Sequence, residues 1–381
     1  MSILTRPTLR WAIPVTAVAV VIGGGAAIGT FAAEAEPSLP PRTAAQLLVD
    51  LQTSRLEGLS GTVVQRADLG LPAVAGLAGA AAGDLGALVD GTNTLRVWYS
   101  GPDRQRIALI GTLGQSDLIR DGRDVWAWSS RTNEAVHHTL STENGTKAAP
   151  SELPATPQQA ADLALAAIDP STEVSVGRSA TVAGRDAYEL VLDPRDDRSL
   201  VAQIRIAIDA TEHIPLRFEV FATGADRAAF EVAFTQVDFR RPDAAQFRFN
   251  PPPGVKIVEG SEKGSEKGSE KGAGPERKPG ATPDGGPKTV GTGWTTVVVA
   301  QGDPLGEVGK KAGEKAAGGT TEEKAAADQI AGLLSGLTRV SGDWGSGRLL
   351  TSRLFSVLIT DDGRLLAGAV TPERLYEVAR G

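Results

Sequence analysis

The sequence predicts a mainly β, α+β protein: a curled antiparallel sheet with two short helices to cover it, followed by a small C-terminal α+β module. Three observations carry that expectation. Four stretches between residues 187 and 234 alternate large apolar residues with charged or small ones. Short apolar segments between residues 94 and 140 are divided by regular turn signals. A Gly-Ser-Glu-Lys repeat from Gly260 to Lys271 then separates this region from a second, shorter strand-and-helix pattern.

The chain has 381 residues, enough for two modest domains with linkers. Aromatic residues make up only 5% while glycines number 45, which points to small cores and long Gly/Ala-rich segments. The net charge of −7 and the lack of a basic block leave nucleic acid no electrostatic foothold. Cysteine is absent, so disulfides, thiolate metal sites, a cysteine nucleophile and a lipidated N-terminal cysteine are all excluded.

Arg6 and Arg10 precede an uncharged run from Trp11 to Ala33, and Glu34 and Glu36 follow it. The run is of spanning length, and the charge order places its start inside and the rest outside. Residues 1–36 are therefore expected to form a retained membrane anchor, with a signal cleaved near Ala33-Glu34-Ala35 as the alternative.

The first folded domain is expected over residues 42–258. Thr43-Ala44-Ala45-Gln46 reads as a capping box opening an amphipathic helix to about Leu56, with Leu47, Leu48 and Leu51 on its apolar stripe. Thr62 to Val64 begins the first strand. Leu69 to Val89 follows neither period and reads either as a loose insertion or as a mobile apolar flap. Leu95 to Tyr99, Arg106 to Leu113, Val125 to Trp128 and Ala135 to Leu140 form a meander, with Asp121-Gly122 as a hairpin dipeptide. Thr156-Pro157-Gln158-Gln159 starts a second helix carrying Leu163. Tyr188, Leu190 and Leu192, then Ile204, Ile206 and Ile208, then Leu216, Phe218 and Val220, then Phe230, Val232 and Phe234 mark the one-faced strands. Such a sheet must be covered by something.

Residues 259–290 are too polar to pack and read as a disordered linker. The module over residues 291–381 has a strand from Trp294 to Ala300, a disordered insertion over 302–324, a helix from Asp328 to Leu337, a hairpin turning at Asp361-Asp362-Gly363, and a last helix after Thr371-Pro372.

No catalytic or metal constellation emerges, and no cofactor is implied. His137 and His138 are adjacent, so on a strand they point to opposite faces, and His213 sits beside a turn. Gly345-Ser346-Gly347 lacks the nucleophile-elbow spacing, and no phosphate-binding glycine loop is present. Trp98, Trp126 and Trp128 fall on neighbouring expected strands, either as ordinary core or as the lining of an apolar cavity under the helices.

The run Leu95-Arg96-Val97-Trp98-Tyr99 with Pro102 and Arg104, the run Arg120-Asp121-Gly122 with Val125 and Trp126, and the ending Phe247, Phe249, Pro252, Gly254 and Val255 carry a resemblance. Over about Pro41 to Val258 the chain resembles the LolA-like lipoprotein-carrier superfamily, and more closely its actinobacterial membrane-anchored members. The resemblance implies a curled, incomplete antiparallel β-barrel over residues 42–258, whose helical lid covers an apolar cavity for acyl chains. A linker followed by a second module is similar to the RseB/MucB branch, which senses mislocalised lipoproteins and restrains proteolysis of a membrane anti-sigma factor. The function so expected is extracytoplasmic binding of a lipid or an acylated lipoprotein, not catalysis. The cavity would be lined by Trp98, Trp126, Trp128, Ile204, Ile206, Ile208, Leu216, Phe218, Phe230 and Phe234, with Leu48, Leu51 and Leu163 in the lid. The alternative is a regulator whose partner is a membrane-bound anti-sigma factor.

Overall fold

A computed structural model of the chain describes residues 37–71, 88, 91–111, 114–140, 171–259, 288–301 and 337–381. Leu39–Gly381 makes one compact unit. The apolar run from Trp11, the helix expected from Thr156 with its Leu163, most of the stretch after Leu69, the Gly-Ser-Glu-Lys repeats, the 302–324 insertion and all but the last residue of the Asp328–Leu337 segment lie outside the described residues. Among the described residues no helix is long and apolar enough to cross a membrane.

Helix α1 (Ala44–Thr53) forms where the capping box places it. The Gln46 amide donates to Thr43 Oγ1 at 3.2 Å, and the Thr43 amide donates back to Gln46 Oε1 at 2.9 Å. It ends three residues earlier than expected because the Ser54 amide caps Asp50 and its hydroxyl donates to the Leu51 carbonyl at 3.0 Å. The spacer before it is pinned too: Tyr188 donates to the Pro40 carbonyl at 2.9 Å.

The first half of the main sheet is β1 (Leu59–Ala67), β2 (Gly91–Tyr99), β3 (Arg104–Gly111), β4 (Gly114–Asp121), β5 (Asp124–Ser129) and β6 (Glu134–Thr139). The second half is β7 (Thr172–Val176), β8 (Ala180–Val182), β9 (Arg185–Pro194), β10 (Val201–Asp209), β11 (Pro215–Ala222) and β12 (Ala228–Asp238), and β13 (Lys256–Glu259) returns to the first half. The strands pair in the order β13-β6-β5-β4-β3-β2-β1-β12-β11-β10-β9-β7, with β8 on β9, and every pairing is antiparallel except β13 on β6. The path does not close, so the sheet is an incomplete barrel with β7 and β13 as its ends.

Cross-strand register turns the one-faced strands into continuous rows. Leu190, Ile206, Phe218 and Val232 are direct neighbours, as are Leu192, Ile204, Val220 and Phe230. All eight join one buried cluster that also takes in Leu47 and Leu51 of α1 and Leu95 and Leu109 from the other half. A single cluster shared by strands so far apart in the ladder means that the sheet curls around it. At the middle of the curl sits Gly61, where a Cβ would lie 2.5 Å from the Gln236 carbonyl oxygen and 2.9 Å from the Phe234 ring. On the outer face the polar partners interlock: Arg66 holds Glu231 at 2.8 Å, and Arg217 holds Glu189 at 3.4 Å and Glu219 at 3.1 Å.

A second sheet runs β14 (Lys288–Val290), β15 (Val297–Gln301), β19 (Arg364–Gly368), β18 (Ser356–Thr360), β17 (Gly345–Thr351), β16 (Thr338–Gly342). Helix α2 (Pro372–Ala379) closes its core of Val297, Leu349, Leu358, Leu366 and Leu375. Between β17 and β18 the chain leaves the sheet at residues 352–355, where the Ser352 hydroxyl accepts from the amides of Leu354 and Phe355. That break carries Leu354 and Phe355 onto the main core, together with Trp294, whose indole N–H donates to Thr172 Oγ1 at 2.7 Å. Backbone bonds from Leu200 to Ala369 (3.0 Å), from Thr371 to Arg198 (3.0 Å) and from Arg353 to Leu69 (2.7 Å) complete the junction.

Leu47 is fully buried and Val49 is 56% exposed on the same helix. We expect Leu47→Ala to cost about 2–5 kcal/mol and Val49→Ala to stay within about 0.5 kcal/mol, measured by urea unfolding.

Candidate functional site

A cavity of about 670 Å³ opens at one end of the half-barrel. Its walls come from α1, the loop after it and the start of β1 (Leu51, Leu56, Leu59), from the β2–β3 hairpin (Val97, Tyr99, Gln105, Ile107), from Ile214 and from Phe234. Trp98, Arg106, Arg55 and Glu57 complete the rim. The volume falls within the roughly 300–1,000 Å³ usual for small-molecule sites. The walls are apolar because β1, β2 and β3 turn alternate residues inward, and α1 ends over them.

The cavity is continuous with a feature that only the register reveals. Val237, Gly61, Val97, Ile107, Leu118, Ala127, Val136 and Val258 lie side by side across eight strands, β12 to β13, on the concave face. No member is charged or hydrogen-bonding at its side chain. Burial falls along the row: Val97 is 3% exposed and Leu118 39%. The rows beside it are mostly polar, with Gln105, Arg120 and His138 on one side, interrupted by Val125 on β5, and Ser116, Ser129, Glu134 and Lys256 beyond Leu109 on the other. From β2 to β13 the row spans about 24 Å at a strand spacing of ~4.8 Å. That exceeds one leaflet of hydrocarbon, half of a core about 30 Å thick. The concave face is thus a narrow apolar trough with wet banks.

The residues expected to line the cavity divide three ways. Leu51 and Phe234 line it, and Trp98 borders it only at the rim. Ile204, Ile206, Ile208, Leu216, Phe218 and Phe230 share its face but are packed shut in the core, each at most 5% exposed, and Leu48 is half-buried against that core. Trp126 and Trp128 are elsewhere. Trp98 pairs with Arg106, Arg106 with Ile119, Ile119 with Trp126, and Asp117 with Trp128, so all three indoles belong to the convex face. The reason is parity: Val97 points inward, so Trp98 points outward, and the tight turn at Gly122 (φ 65°) carries the same parity into β5.

The convex face has its own cover, which the sequence reading missed. The turn Ala244–Phe247 lies on β3 and β4, with Phe247 buried and the Gln246 carbonyl accepting from Arg106 Nη1 at 3.2 Å. Arg106 Nη2 also donates to Asp117 Oδ2 at 2.7 Å, and the Trp98 ring lies between Arg96 and Arg106, 5.2 and 5.0 Å from their guanidinium carbons. Trp126 stacks on His137 at 4.1 Å and on Phe249 at 4.8 Å. Phe247 and Phe249, already noted in the domain-ending motif, were the available signal for this cover.

Among the described residues no group of three metal-ligating side chains converges. His137 has both ring nitrogens engaged by carboxylates, Asp124 Oδ1 at 3.0 Å and Glu259 Oε2 at 2.9 Å. Burial alone would lower its pKa, but hydrogen bonds and charge from Asp124 and Glu259 outweigh that and raise it. His138, its neighbour, lies on the concave side, as adjacent strand positions require.

No protein-family model matches the chain, and no curated protein matches it in sequence. Among solved structures it is similar to MucB of Pseudomonas aeruginosa in its complex with MucA, at 14% identity and a TM-score of 0.43, over 88% of this chain and 96% of that one. It is also similar to a LolA superfamily protein from Nitrosomonas europaea, at 12% identity and a TM-score of 0.23, over 55% of this chain and 99% of that one. A further similarity is to an uncharacterized conserved protein from Thermus thermophilus, at 14% identity and a TM-score of 0.33, over 57% and 98% of the two chains. The LolA-like and MucB resemblances drawn from the sequence motifs are both met among these structures.

Because Trp126 has two stacked neighbours, each pairing worth about 0.5–1.5 kcal/mol beyond area burial, Trp126→Ala should lower unfolding stability by about 1–3 kcal/mol. Its position outside the trough means that ligand uptake per folded molecule should not change, as equilibrium binding after urea titration would establish.

Proposed function

We propose that this protein binds the acyl chain of a lipid or of an acylated lipoprotein outside the cytoplasm, at a membrane surface, and holds or senses it there. The observation that carries the reading is the aliphatic row running from the cavity at Val97 and Ile107 to the more exposed trough at Leu118 and Ala127. A chain laid along it buries methylenes against β-branched and small side chains. Polar side chains along most of both borders limit the width of the trough. Binding driven this way grows by about 0.8 kcal/mol per buried methylene, about fourfold in affinity for each added carbon. No proton transfer or bond cleavage is required of any residue.

A second reading, a regulator that captures a membrane-bound anti-sigma factor, is favoured by the second sheet. Its outer strands β14 and β16 each pair on one side only among the described residues, and an open strand edge can accept an extended peptide. The two readings are compatible if ligand and partner use different sheets.

Fatty acids offered in a series from decanoate to palmitate should bind with affinity rising about fourfold per methylene until the trough is filled, read by isothermal calorimetry. Leu118→Asp and Ala127→Asp, at already exposed positions, should weaken palmitate binding about tenfold or more by placing a charge beside the chain, with Val49→Asp as an unaffected control. Mass spectrometry of organic extracts from the protein purified out of a membrane-containing host should find a stoichiometric acyl ligand. An empty protein that takes up none of the series would end the lipid reading and leave the partner-binding one.

A further inference from the structure

Strand β13 is the short parallel edge strand and also the last described segment before residues 260–287. It is held differently at its two ends. At its start the Lys256 amide donates to the Asn133 carbonyl at 3.0 Å, and Asn133 Nδ2 donates to the Gly254 carbonyl at 2.9 Å. Asn133 itself takes a left-handed conformation (φ 50°), which fixes the turn that presents these groups. At its far end the side-chain tie is Glu259 to His137.

We propose that His137 is a proton-operated latch: as an imidazolium it ties Glu259 of β13 to Asp124 of β5, and on losing its proton it releases the free end of β13. The charged groups facing the ring are Asp124 from β5 and Glu259 from β13, while Trp126 covers one ring face and Thr139 donates to Asp124 at 3.5 Å. An imidazolium presents two N–H donors, one for each carboxylate. A neutral ring keeps one donor and sets a lone pair against the other carboxylate, so one of the two contacts becomes repulsive. Lys256 pairs with Glu134 at 3.4 Å at the opposite end of the strand, so the Asn133 end stays fastened whichever form the ring takes.

The sign follows from the geometry. The carboxylates favour the charged ring, so the tie is complete below the ordinary histidine value of about 6.5 and is lost as pH rises through the higher folded value. Release of the three residues after Lys256 lets the segment leading to the second sheet lengthen by about 10 Å. It also uncovers the free edge of β6 and removes Val258 from the outer end of the apolar row. The latch itself does not depend on the lipid-binding reading.

The test is hydrogen exchange of the backbone amides of Ile257, Val258 and Glu259 in the full chain between pH 5.5 and 8.5, corrected for intrinsic rates, with the Lys256 amide as the fastened reference. Protection should fall by about threefold to fivefold across the His137 titration, the scale of two exposed ion pairs. His137→Gln and Glu259→Gln should both flatten the profile, and His138→Gln should leave it intact. NMR of the imidazole should place the His137 midpoint above about 6.5. A flat profile in the natural sequence, or a pH dependence that persists in His137→Gln, would overturn the latch.

Discussion

Everything in the larger sheet depends on one demand: a long antiparallel ladder with large apolar residues on a single face has to hide that face, and only α1 is described to help it do so. Curling the sheet on itself meets the demand for β9 to β12, where Leu190, Ile206, Phe218 and Val232 reach full or near-full burial with Leu47 and Leu51 above them. The curl needs a place where two strands and a ring crowd together, and Gly61 supplies it, since any Cβ there would strike the Gln236 carbonyl and the Phe234 ring. Further along the ladder no described element covers the same face. The trough is that remainder, a consequence of stopping the curl before the sheet closes.

The opposite face solves a different problem with the chain's scarce aromatic side chains. The indoles at Trp98, Trp126 and Trp128 are held by arginines, by His137 and by the segment carrying Phe247 and Phe249. The convex surface of the first half is therefore a thin second core, and its stiffness fixes the strands whose other sides form the trough. Aliphatic residues face the open side and aromatic ones the covered side, which suits a surface meant to stay wettable at its banks and smooth along its floor.

The second sheet is more than an appendage. Trp294, Leu354 and Phe355 pack against the main core, and Arg353 grips the chain just after β1 through its own amide and through an ion pair with Asp68. Those contacts lie at the root of the apolar stretch that follows Leu69. A sheet with its own core, docked by strand ends, leaves its outer strand edges unpaired among the described residues.

Local patterns in the sequence determined a good deal. The capping box at Thr43, the hairpin dipeptide at Asp121-Gly122, the alternation in β9 to β12 and the closing helix after Pro372 are each short-range signals, set by hydrogen bonding or by side-chain period, and each forms where it reads. The curled antiparallel sheet followed from them. What the local pattern left open was parity between strands. Alternation states that Val97 and Trp98 face opposite ways, but not which of the two faces the helix. That is decided by the register with β1 and β3 and by the 244–249 segment, which arrives from more than a hundred residues away in sequence to cover Trp126. The apolar row is of the same kind: Ile107, Leu118, Ala127, Val136 and Val258 share no sequence period, and they become one surface only when five strands settle into a common register.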